Sequence, residues 1–108
     1  MNFQEAAARF EHSGAGTDDF KLLYKSAVEL MGSDVENAAL YFVIGVAAHS
    51  YVTQYEDQGV TAEFADQAKS VLVGFNKKIS QALDADFKAR LALLSEVATE
   101  YQFRVNQF

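Results

Sequence analysis

Ala38-Ala39-Leu40-Tyr41-Phe42-Val43-Ile44-Gly45-Val46-Ala47-Ala48 is an unbroken apolar run of eleven residues, and what surrounds it decides the fold. A membrane-spanning helix needs roughly twenty such residues. Here Glu36 and Asn37 precede the run, and His49, Ser50, Thr53 and Gln54 follow it. It is too short to cross a bilayer. A helix apolar on all sides is instead the buried member of a helical domain. The run therefore predicts a central helix over about residues 34–57, touched by several neighbours.

The rest of the chain supports helices on both sides of it. The sequence holds no proline in 108 residues, where an average chain would carry about five, so no long helix is interrupted. Gly14, Gly16, Gly32 and Gly59 fall where an apolar periodicity stops, which divides the chain into five helical segments. The first runs from about Phe3 to Glu11, with Phe3, Ala6, Ala7 and Phe10 on one face. The second follows Thr17 to about Met31, with Phe20, Leu23, Tyr24, Ala27, Leu30 and Met31 inward. Ser33-Asp34-Val35-Glu36 reads as a capping box that starts the third. The fourth follows Thr61 to about Leu83 and turns Phe64, Ala68, Val71, Leu72, Phe75 and Ile79 inward. Asp84 or Asp86 caps the fifth.

In that last segment Phe87, Leu91, Leu94, Ala98, Tyr101, Val105 and Phe108 alternate at steps of four and three, the seam of a helix packed at a shallow angle. Val97 and Phe103 lie off the seam, free to meet a second copy. Gly45 and Gly74 each cost about 1 kcal/mol relative to alanine within a helix, which predicts close backbone approach at both. The expected architecture is one all-α domain over residues 1–108: an up-and-down bundle of four long helices plus a short N-terminal one.

Composition bounds function by exclusion. Fifteen acids against nine bases give a formal charge of -6, the wrong sign for a phosphate-binding surface, so no nucleic acid is expected as a partner. No cysteine is present, which removes disulfides and thiolate metal sites. Met1 to Glu5 lacks the basic start of a secretory signal. A cytoplasmic protein with no membrane contact is the expectation.

The chemistry-bearing residues form no catalytic pattern. A carboxylate-bridged di-metal bundle needs Glu-x-x-His pairs, but Arg9 stands three before His12 and Val46 three before His49. No Gly-x-Ser-x-Gly elbow occurs. Gly14-Ala15-Gly16-Thr17 is followed by Asp18 and Asp19, which would repel a phosphate. Neither Asp57-Gln58-Gly59 nor Asp84-Ala85-Asp86 continues into a calcium loop. No enzyme activity, metal or cofactor is expected.

What remains is the placement of the acids. If successive helices run alternately up and down, Asp18, Asp19, Glu56, Asp57, Glu63 and Asp66 gather at one pole. Carboxylates at helix N-termini complement the helix dipole, but Glu56 and Asp57 close the third helix at its negative end. Lys77 and Lys78 belong to the opposite pole. The sequence reading is a small non-enzymatic protein-binding module of inhibitor, immunity or chaperone type. It caps a basic partner protein through those six acids, as a monomer or weak homodimer. Two alternatives stand beside it: a small-molecule or haem-binding bundle around Tyr41, Gly45 and His49, and a self-associating structural subunit.

Overall fold

The computed structural model describes residues 1–105, and every regular element in that span is helical. The order is α1 (Phe3–His12), α2 (Thr17–Ser33), a short 3-10 turn (Val35–Asn37), α3 (Ala38–Tyr55), α4 (Ala62–Leu83) and α5 (Phe87–Arg104). Side chains fix three of the starts. Asn2 and Glu5 form a reciprocal capping box at α1, with bonds of 2.8 and 3.0 Å. Thr61 Oγ1 accepts from the Phe64 amide at 3.1 Å, and Asp86 Oδ1 from the Ala89 amide at 2.9 Å. Each such cap is worth about 1 kcal/mol.

The helices share one core. α2 and α3 are antiparallel and make the most extensive contact in the fold. Phe20 stacks on Tyr51 with ring centroids 4.1 Å apart, and Tyr24 stacks on His49 at 4.6 Å. Gly45 sits in this seam, where an added Cβ would lie 3.6 Å from both the Ala27 Cβ and Tyr24 Cδ1. α4 and α5 form the second antiparallel pair, joined by Phe75 against Tyr101 at 6.5 Å. The short α1 is no appendage: Phe3, Ala6 and Phe10 are fully buried, and α1 contacts both α2 and α4. Phe10 meets Phe20 edge-on at 5.1 Å.

The all-α bundle stands, with corrections inside it. Ser33 is the last residue of α2 and caps nothing, because Asp34 organises the turn instead: its carboxylate accepts from Asn37 Nδ2 at 3.0 Å and from the Tyr41 hydroxyl at 2.6 Å. α3 accordingly spans Ala38–Tyr55 rather than 34–57. It is also uncovered on one side, where Phe42 is 57% exposed. The α5 seam is covered only in part: Leu94, Tyr101 and Val105 pack on the core. Phe87 and Leu91 are 71% and 63% exposed, Ala98 is exposed, and Val97, expected at the surface, is fully buried. α5 packs chiefly on α4, so a single row through Leu94, Val97 and Tyr101 is covered and half of the apolar seam stays outside. Nothing lies within 4 Å of a Cβ added at Gly74, so no backbone approaches there. Tyr24 lies at the surface rather than inward. Phe108 lies outside the described residues.

Candidate functional site

α3 contains no Asp, Glu, Lys or Arg along its 18 residues. Leu40, Tyr41, Ile44, Ala47, Ala48, Tyr51 and Val52 are buried against the other helices. Ala39, Phe42, Val46, His49 and Thr53, spaced by three and four, form an exposed stripe. A solvated helix face normally carries charge at these positions. Here it carries an aromatic ring, two aliphatic groups, an imidazole and a hydroxyl.

Both flanks extend the apolar surface. On one side α2 presents Tyr24 against His49 and, one turn on, Val28 at 46% exposure. On the other side α5 holds Phe87 and Leu91. Between α3 and α5 is a depression of about 150 Å³, lined by Ala39, Leu40, Phe87, Leu91 and Leu94 together with Glu36, Asn37 and Arg90. Scattered apolar side chains are normal on a monomer, but a contiguous patch of several large ones marks a contact surface.

The stripe runs directly into the acidic pole, since Glu56 and Asp57 continue its spacing beyond Thr53. Glu56 accepts from the Lys21 ammonium, and Asp18 Oδ1 lies 3.9 Å from the same nitrogen. The bond to Glu56, helped by the negative charge of Asp18 and Asp57, holds Lys21 above its ordinary pKa. The Phe64 ring against Tyr55, at 4.9 Å, brings the first turn of α4 with Glu63 to the same end. Asp66 follows on the exposed side of α4. Asp19 is half-buried over the glycine loop, its Oδ2 3.6 Å from a Cβ added at Gly14. Lys21 is engaged by Glu56 at the surface, and Lys69 donates to the Ser13 carbonyl. Among the described residues Asp57, Glu63 and Asp66 enter no salt bridge.

Comparison with protein-family models, curated proteins and solved structures finds no match. The chemistry of this surface must be read from its own residues.

The opposite end of α3 is held by a polar network. Arg90 donates to the Ala82 and Ala85 carbonyls at 3.0 Å each, closing the C-terminus of α4, and to Asn37 Oδ1 at 2.7 Å. Asn37 bonds Asp34, which bonds Tyr41. These bonds, first that from Tyr41 and then that from Asn37, hold the Asp34 carboxyl below its ordinary pKa, while burial first and Asp34 second push the Tyr41 phenol well above its own. The network locks the α2–α3 and α4–α5 corners together.

Two further features frame what the surface can do. Among the described residues no group of three or more metal-ligating side chains is placed to hold an ion, and no helix is long and apolar enough to cross a membrane. Tyr41, Gly45 and His49 meet different surroundings: Tyr41 is bonded to Asp34, Gly45 faces Ala27 and Tyr24, and His49 is exposed on the stripe. On α4, Asn76 is 3% exposed, and its amide nitrogen and oxygen have no hydrogen-bond partner among the described residues. It lies under the groove between α1 and α4.

Sequence reasoning missed the exposed α3 stripe, the Asp34–Tyr41–Arg90 network and Asn76. An all-round apolar run gives no moment from which to read an outer face. The signal available was the continuation of one spacing, Ala39, Phe42, Val46, His49 and Thr53, into Glu56.

Proposed function

We propose that this chain is a small acidic protein-binding module without enzymatic activity, of inhibitor, immunity or chaperone type, that caps a basic surface of a partner protein. The observation that carries this reading is the meeting of the charge-free stripe of α3, with Phe42 and Val46 at the surface, and the acidic pole that ends it. Protein interfaces combine an apolar centre, depleted of charge and rich in aromatic groups, with a polar rim. The stripe supplies the first and Asp18, Asp57, Glu63 and Asp66 supply the second. A net charge of -6 adds long-range attraction toward a basic partner and repulsion from nucleic acid.

Affinity capture from the native host's lysate, with quantitative mass spectrometry, tests this reading. Wild type is compared with Phe42→Glu and with Asp57→Lys/Glu63→Lys, both checked for folding. The reading expects a basic protein captured by wild type and depleted in both variants. A captured set that is indifferent to both variants would contradict it. Self-association is a second reading, favoured by Phe103, which is 76% exposed near the end of α5. Sedimentation of wild type against Phe103→Glu addresses it directly.

A further inference from the structure

We propose that the groove between α1 and α4 is a binding site for a small uncharged molecule carrying a primary carboxamide or a lactam, held by the buried side chain of Asn76. None of the residues lining the groove belongs to the α3 stripe or the acidic pole. The site is separate from the partner surface and stands or falls apart from it.

Asn76 is 3% exposed, and both ends of its carboxamide lack a hydrogen-bond partner among the described residues. Nearly all buried polar side chains in folded proteins are bonded. The surroundings of Asn76 explain the exception. Its neighbours three and four residues away on α4 include Leu72, Val73 and Ile79, and across the groove α1 presents Ala7 and Ala8, none of which has a polar side chain. α1 runs antiparallel to α4: Lys69 donates to the Ser13 carbonyl just past the end of α1, while Gln4 shares the other end of the groove with Ser80 and Gln81. The two alanines leave an opening of about 300 Å³ there, at the small end of the range for ligand pockets. Phe3, Ala6 and Phe10 anchor α1 in the core, so the wall of the groove is fixed.

The chemistry of the carboxamide selects the ligand. It offers an acceptor oxygen and a donor nitrogen side by side, and its complement presents an N–H and a C=O on one edge, giving two parallel bonds as when asparagine reads adenine. Primary carboxamides and lactams have that edge. An open-chain secondary amide does not, because in the trans form its N–H and C=O point in opposite directions. Glu11 and Lys77 both line the groove, one charge of each sign, which favours a neutral occupant over an ion. Asn76 has already left water on folding, so a ligand that pairs with it recovers bonds that folding gave up. The amide atoms are covered in the free protein, and pairing requires the carboxamide to turn about its side-chain bonds toward the groove. No hydrogen bond within the described protein opposes that turn.

The test is titration of nitrogen-15-labelled protein with γ-butyrolactam and with propionamide through the millimolar range, followed by heteronuclear NMR. Both should shift the Asn76 side-chain amide pair saturably, together with the backbone amides of Ala7, Ala8 and Ser80, and the tighter of the two tells a lactam from a carboxamide. Cyclopentanone, with a methylene in place of the N–H, and N-methylacetamide, a trans amide, should bind about tenfold more weakly or less, the effect of one buried bond left unmade. Asn76→Leu should stay folded and lose the shifts at Ala7, Ala8 and Ser80. Ala8→Phe, which fills the groove from an exposed position and leaves Asn76 in place, should lose binding too. Urea melts of both variants check folding, and Phe42→Glu, on α3, should bind as wild type.

No saturable shift with either amide, equal affinity for cyclopentanone, or binding retained in Asn76→Leu or Ala8→Phe would overturn the proposal. So would a water molecule held on Asn76, detected by its Overhauser contact to the side-chain amide, that persists at saturating γ-butyrolactam.

Discussion

The Lys21 ammonium in the second turn of α2 donates to the Glu56 carboxylate at the end of α3, clasping the antiparallel pair at the acidic pole. Glu56 thus opposes the dipole of its own helix for a structural reason, and it is not interchangeable with Asp57 beside it. Charge reversal of the two acids should divide. Glu56→Lys sets two ammonium groups together and lowers the melting temperature. Asp57→Lys leaves it unchanged or raises it. The exchange Lys21→Glu/Glu56→Lys should recover part of the loss, and thermal melts of the four proteins by circular dichroism check the pattern.

Position on α3 decides the cost of truncation. Ile44 is fully buried, so Ile44→Ala should cost about 2–5 kcal/mol in urea melts. Phe42, on the same helix two residues away, is 57% exposed. Phe42→Ala should cost less than about 1 kcal/mol, because little area leaves water when it folds.

α4 carries two positions that disfavour the folded state. A buried amide without partners costs about 1–3 kcal/mol, and apolar replacement of similar shape removes that cost. Asn76→Leu should therefore stabilise the protein by about 1 kcal/mol or more. Gly74→Ala meets open space and should add up to about 1 kcal/mol through helix propensity. Urea midpoints that fall for both would contradict these assignments.

The pH dependence of stability should show the Asp34 network at both ends. The folded-state pKa of Asp34 is lowered, so its contribution is complete above the ordinary carboxylate range and is lost as pH falls through the lower folded value. The Tyr41 pKa is raised, so its contribution is complete below about pH 10, the ordinary phenol value, and declines as pH rises through the higher one. Asp34→Asn should flatten the acid limb below about pH 4, and Tyr41→Phe the alkaline limb. Burial raises the Tyr51 pKa too, so the alkaline limb flattens in part. Denaturation midpoints across pH give both slopes.

Helix number, the Thr61 cap and most of the core of α2 and α4 are legible in the sequence, because amphipathic periodicity and capping chemistry act over three or four residues; for α5 the sequence left Asp84 and Asp86 open, and Asp86 is the cap. α3 was legible as a buried helix but not as one with an outer face, since neighbours rather than its own pattern decide which apolar side is left over. α5 failed in a related way. Its heptad seam is covered at Leu94, Tyr101 and Val105, but Val97 joins the covered row and Phe87 and Leu91 are left out. Asp18, Glu56 and Asp57 come together around Lys21, as the antiparallel order of α2 and α3 implies. That Lys21 would engage Glu56 while Asp57, Glu63 and Asp66 stay without a salt bridge required the approach of α2 to α3, a contact 35 residues apart in sequence.

The measurement closest to the central claim is the association rate with the captured partner as a function of ionic strength, for wild type and for Asp57→Lys/Glu63→Lys. Charge steering is screened beyond about 10 Å at 0.1 M salt, so the wild-type rate should fall steeply as salt rises, while the variant should start slower and change little. Equal rates for the two proteins at low and high salt alike would contradict the assignment of the acidic pole and the stripe it ends to a basic partner.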